Sequence, residues 1–129
     1  FMIQPGWDEA HFDGLRRYVR ALPPSQCSFT VCTPSPGTPD YEEAAGDMWV
    51  DRPFDLHDCM HPLTATRLPL RRFSALYAGL AAEGTGKTPL RHHRHPMVPA
   101  DIWRVIRAER AYSRGFRRLY RDYPRDLWS

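Results

Sequence analysis

Phe1-Met2-Ile3-Gln4-Pro5-Gly6 and Phe29-Thr30-Val31-Cys32-Thr33 are the two stretches whose reading decides the fold. Each is a short apolar run, the second rich in β-branched residues, and each stops at a Pro or Gly within a few positions. Both therefore read as short strands. Between them Phe12, Leu15, Val19 and Leu22 recur at steps of three and four, with Arg16, Arg17 and Arg20 mostly off that stripe. That is the pattern of a helix with one buried face. Asp8 stands where its carboxylate can accept from the free N–H groups of the first turn, and Pro23-Pro24 stops the helix. Strand, helix and strand joined this tightly form a βαβ unit, which calls for parallel strands and a right-handed crossover.

Outward from that unit, Thr33-Pro34-Ser35-Pro36-Gly37-Thr38-Pro39 reads as a stiff loop. Thr38 as cap and Pro39 as first helical residue predict a short helix over residues 40–45. Phe54-Asp55-Leu56-His57-Asp58-Cys59 alternates apolar and polar, which permits a strand. From Leu68-Pro69 a helix follows whose buried stripe is Leu70, Phe73, Leu76 or Tyr77, and Leu80. Residues 84–99 break the pattern with Gly, Pro and the cluster Arg91-His92-His93-Arg94-His95, so they read as an exposed linker. A last helix, roughly residues 100–121, carries Ile102, Val105 or Ile106, Tyr112, Phe116 and Leu119 on one stripe. Arg104, Arg107, Arg114, Arg118 and Arg121 lie on another.

The chain has 129 residues, enough for one domain with its own core. It opens inside an apolar run, as expected of a segment of a longer protein. Its net charge of +3 is unevenly spread. Residues 1–50 hold three Arg against seven acids, and residues 91–126 hold ten Arg against four. A basic stripe can meet an anionic partner, but the last helix has an apolar and aromatic opposite face, as a helix docked on protein does. The sequence thus argues for a solvated face rather than for nucleic acid. No apolar run approaches the length of a membrane span, so none is expected. Cys27, Cys32 and Cys59 are odd in number and carry no metal-ligand spacing, which favours reduced thiols and a cytoplasmic setting.

Three local signals bear on chemistry. Gly84-Thr85-Gly86-Lys87-Thr88 resembles the end of a phosphate-binding loop, but position 81 is Ala81 and the segment follows a helix and runs into Pro89. His92, His93 and His95 could capture a metal only loosely, so no metal site is assigned. Asp55, His57, Asp58 and His61 form a denser group, in which a histidine beside a carboxylate could serve as a base.

Thr33 through Glu42 matches a Thr-Pro-x-Pro-Gly-Thr-x-x-Tyr-Glu sequence. Together with the first strand and turn, it resembles the last barrel strands of cobalamin-type radical S-adenosylmethionine enzymes. Residues 54–61 and Thr66-Arg67-Leu68-Pro69-Leu70 with Phe73 are similar to the branch that contains hopanoid C-methylases. The resemblance covers about residues 1–83. It implies an α/β fold, a partial parallel (βα) barrel made of the last strands and helices, after which the residues themselves give the linker at 84–99 and the Arg-rich helix and tail at 100–129. It implies that Ile3, Gln4, Val31, Thr33 and Pro34 wall an S-adenosylmethionine pocket. Asp58 and His61 fall near the substrate end as the catalytic candidates.

The family also uses a 4Fe-4S cluster and, in part, cobalamin, on a small and sometimes lipid-like substrate. Its cluster sits in a Cys-x3-Cys-x2-Cys loop that this chain lacks, and Pro5-Gly6-Trp7 departs from the usual Gly-rich turn. The chain is therefore expected to be the C-terminal part of such an enzyme, inactive alone and completed by the rest of the barrel or a partner chain. The alternative expectation is a small non-enzymatic module that places its Arg-rich helix on an acidic partner.

Overall fold

The computed structural model describes residues 1–22, 27–49, 53–85 and 99–129. In chain order they form β1 (Met2–Ile3), α1 (Glu9–Ala21), β2 (Thr30–Val31), α2 (Pro39–Ala44), α3 (Leu70–Thr85) and α4 (Pro99–Phe116). Short 3-10 turns follow α2 and α4 and occupy Pro53–Leu56. Pro23-Pro24, most of the linker and the cluster His92, His93 and His95 lie outside the described residues.

The strands pair in parallel, Met2 with Thr30 and Ile3 with Val31. Thr30 N donates to Phe1 O at 2.9 Å and Cys32 N to Ile3 O at 2.8 Å. The Pro5-Gly6 turn closes through Trp7 N on Gln4 O at 3.1 Å. Asp8 caps α1, its Oδ1 accepting from His11 N at 3.2 Å. Thr38 caps α2 in the same way, with Pro39 in the first helical position where no N–H is needed.

Because strand side chains alternate, Ile3 and Val31 point to the same side of the sheet. There they join Phe12 and Val19 of α1 and Phe73, Tyr77 and Leu80 of α3 in one buried core. Truncating a ring such as Phe73 in a core of this kind typically costs about 3–5 kcal/mol. The other side of the sheet is different: Met2, Gln4 and Thr30 are exposed and Cys32 is half-buried.

The two long helices over the sheet run in the same direction. Glu9, first in α1, pairs with Arg72 near the start of α3 at 2.7 Å. Glu83, near the end of α3, pairs with Arg16 at 2.8 Å and Arg20 at 3.0 Å on the later turns of α1. Starts meet starts and ends meet ends. The frame is thus two strand–helix units laid side by side, strands parallel and helices on one face.

The structure differs from the sequence reading in three places. Residues 54–59 are not a strand: a 3-10 turn covers Pro53–Leu56 and turns follow to Met60. Cys59 there adopts φ 59°, the left-handed region, so the apparent alternation never becomes extended chain. The helix at 70 continues to Thr85, two residues into the expected linker. Its last turn is held against the entry to β2, where a Cβ on Gly84 would lie 2.5 Å from Phe29 Cε2 and 2.6 Å from Cys27 O. Gly84 is therefore a packing glycine. The last helix ends at Phe116, and the chain then folds through Leu119–Asp122 and Arg125–Trp128. These turns return onto α3, with the Arg71 guanidinium 5.3 Å from the ring centres of both Tyr120 and Trp128.

Candidate functional site at the carboxyl end of the parallel pair

In open parallel sheets, ligands bind beyond the carboxyl ends of the strands, where the loops diverge. Here β2 runs out into Cys32-Thr33-Pro34-Ser35, and the chain turns back through Gly37, at φ 81°, into α2. Thr38 closes the turn, its N and Oγ1 both donating to Ser35 O at 3.1 and 2.7 Å. The result is a cleft of about 420 Å³ lined by Met2, Cys32, Thr33, Pro34, Ser35 and residues 38–40.

Thr33 and Pro34, which the family resemblance assigns to a pocket wall, line this cleft. Ile3 and Val31 do not present side chains to it, because both are turned into the helix-side core at 0% and 1% exposure. Gln4 is exposed and outside the lining. Met2 and Cys32 take the positions instead. The strand period could have shown this, since residues flanking a core residue face the other way.

The segment 57–61 runs along the outer edge of β2, where Val31 N donates to Cys59 O at 2.7 Å. Thr33 Oγ1 lies 4.0 Å from the Cys59 sulfur, joining this segment to the cleft wall. Asp58 and His61 do come together. Asp58 Oδ1 accepts from Met60 N at 2.8 Å and His61 N at 3.1 Å, while Oδ2 meets His61 Nδ1 at 2.9 Å. His61 Nε2 meets Asp122 Oδ2 at 3.0 Å, from 61 residues away in sequence. Each ring nitrogen of His61 thus faces a carboxylate oxygen. Both nitrogens are engaged and His61 is 5% exposed. This histidine docks the chain's last turns, and leaves no ring nitrogen for a substrate.

Burial pushes the Asp58 carboxyl up, but the Met60 amide, the His61 ring and its charge, and the His61 amide outweigh it. Asp58 therefore lies below the ordinary aspartate range. Tyr123 packs beside His61 with ring centres 5.7 Å apart and donates to Pro62 O at 2.6 Å. Its burial, with the charges of Asp58 and Asp122, holds the phenol well above its usual value. Asp122 and Tyr123 carry no local signal; only the fold brings them here.

His57 is turned away, packing on Tyr41 and Phe54 with ring centres 6.0 and 5.6 Å off. Its buried Nε2 has no hydrogen-bond partner among the described residues. Asp55 is exposed and does not join the group.

Cys27 is buried, Cys32 half-buried and Cys59 exposed, and all three are free thiols. Among the described residues no three His, Cys, Asp or Glu side chains converge to hold a metal. The residues present do not fit a 4Fe-4S cluster, which needs three converging thiolates. Among the described residues no helix is long and apolar enough to cross a membrane. No family model, no curated protein and no solved structure matches this chain.

Proposed function

We propose that this chain is the closing part of a radical S-adenosylmethionine enzyme, methyltransferase-like and cytoplasmic, that forms one wall of its substrate chamber. One observation carries this reading: two strand–helix units run side by side with their long helices on one face, leaving the sheet's opposite face open. That is the arrangement of consecutive units in a (βα) barrel, whose inner face is covered only by the rest of the ring. The match of Thr33 through Glu42 to the family sequence, folded here as a capped turn beside the cleft, supports it.

On this reading Met2, Cys32, Thr33 and Pro34 contact the adenosyl group of S-adenosylmethionine through apolar surface, one hydroxyl and main chain. The cluster and any cobalamin belong to the remainder of the barrel or to a partner chain, and the radical chemistry is the cofactors' own. Asp58 stays ionised near the chamber, and His61 fixes it in place. A small, lipid-like substrate would rest its apolar part on Met2, with Gln4 and Thr30 as polar neighbours on the same open side of the sheet.

The test is amide NMR of this chain titrated with S-adenosylmethionine, beside reconstitution with iron and sulfide. Shifts confined to the amides of Met2, Cys32, Thr33, Ser35, Thr38 and Asp40, and no cluster absorbance, are the expected results. Absence of shifts at those residues, or a stoichiometric cluster on this chain, overturns the reading.

A further inference from the structure

Helix α4 turns part of its apolar stripe inward: Phe116 is buried and Ile102, Val105 and Ile106 are half-buried, while Tyr112, expected on that stripe, is exposed. Tyr77 of α3 and Phe116 meet edge to face at 5.0 Å. Docking of that side on α3 does not speak against a ligand on the other side. Trp103, Arg104, Arg107, Arg110 and Arg114 are all exposed, at helical spacings of three and four that place them along one face. Only Arg104 of these arginines makes an ion pair among the described residues, with Asp101 at 3.3 Å.

Trp103 is the feature that a solvated face leaves unexplained. The indole is 67% exposed, at one end of the arginine row. Ala100, Trp103, Arg104 and Arg107 line a shallow cleft of about 290 Å³. With a rise of about 1.5 Å per residue, successive guanidiniums sit roughly 4.5–6 Å apart along the axis. This is a row of cations beside a flat aromatic surface. Arginine rows track phosphates, and an exposed aromatic ring stacks on any base. A carboxylate-rich protein face would pair with the guanidiniums alone and leave the indole at a polar rim.

We propose that the outer face of α4 binds single-stranded nucleic acid, with a base stacked on Trp103 and phosphates on Arg104, Arg107, Arg110 and Arg114. This site is separate from the cleft at the end of β2, and it does not depend on the barrel reading.

The experiment is fluorescence anisotropy of a fluorescein-labelled 15-nucleotide oligo(dT) with this chain between 25 and 200 mM salt. Three to four phosphate contacts predict a slope of log affinity against log salt of about −2 to −3. Arg107→Gln should make the slope shallower by about 0.7, the share of one phosphate on a single strand. Trp103→Ala should weaken binding roughly five- to hundredfold at unchanged slope. Arg17→Gln, on exposed α1 surface, should change nothing. No saturable binding at 25 mM salt overturns the proposal, as does a Trp103→Ala variant that binds like the parent. Equal or tighter binding to polyglutamate, to a 15-base-pair duplex or to phosphatidylserine vesicles also overturns it.

Discussion

Arg20 and Glu83 meet in a two-pronged pair, Nε to Oε2 and Nη2 to Oε1 both at 3.0 Å, across 63 residues of sequence. Glu9 and Arg72 are separated by the same 63 residues and meet at 2.7 Å. The constant offset means that α1 and α3 lie in register along their length. A pair at each end fixes both the direction and the slide of the two helices.

Glu83→Gln should therefore cost more than an isolated surface pair does. Exposed pairs contribute about 0–1 kcal/mol each, and Glu83 serves two arginines from a position that is 25% exposed. We expect a loss of about 1 kcal/mol by urea denaturation, shrinking in high salt. The double variant with Arg20→Gln should lose less than the sum of the singles. Strict additivity would mean that the two groups do not interact in solution.

Two glycines should respond in opposite directions to the same change. Gly84→Ala drives a methyl into Phe29 and the Cys27 carbonyl, and we expect about 1–3 kcal/mol of destabilisation. Around Gly14, inside α1, no neighbouring group lies within 4 Å of the place a methyl would take, so Gly14→Ala should stabilise by about 0.5–1 kcal/mol. Denaturation midpoints of the two variants, measured side by side, check the contrast.

The Asp58–His61–Asp122 group makes stability fall in acid. Asp58 has a folded pKa below its ordinary 3.8, so its contribution is complete above that value. It is lost as pH falls from there through the lower, folded value. Asp58→Asn should be less stable than the parent at pH 6 and show a flatter decline between pH 4 and pH 2. Asp122→Asn weakens the other side of the same histidine, and should expose residues 119–128 to faster amide exchange than the parent shows.

Stability should also fall in alkali, for the opposite sign of shift. Tyr77, by burial and then by the charges of Tyr112, Asp58 and Cys59, ionises far above 10.0 in the folded chain. Tyr123 does so too. Both remain neutral in the fold while the unfolded chain begins to ionise near pH 10, so the folded state loses ground above that pH. Tyr123→Phe should remove part of this slope. At neutral pH it should cost about 1 kcal/mol for the lost bond to Pro62 O.

Much of the frame was legible because it is written in local rules. Thr38-Pro39 opens a helix by chemistry that needs only neighbours, and Leu70, Phe73, Tyr77 and Leu80 repeat at a helical step. The segment at 54–59 misled because alternation over six residues is also compatible with turns, and its neighbours decide. The candidate site was half legible. Thr33 and Pro34 come from the family resemblance, and Asp58 and His61 stand close in sequence, but Asp122 reaches His61 only through the tertiary fold. Trp103 was hidden for another reason: an aromatic residue in an amphipathic helix is ordinarily read as core, and here it stands outside.

The left-handed Cys59 has a consequence for how the sheet can grow. Its carbonyl takes the Val31 N–H on the outer side of β2, where a third strand would otherwise begin. Among the described residues the ladder is thus stopped at the β2 border. A further strand therefore finds no free Val31 N–H on that side from which to extend the ladder.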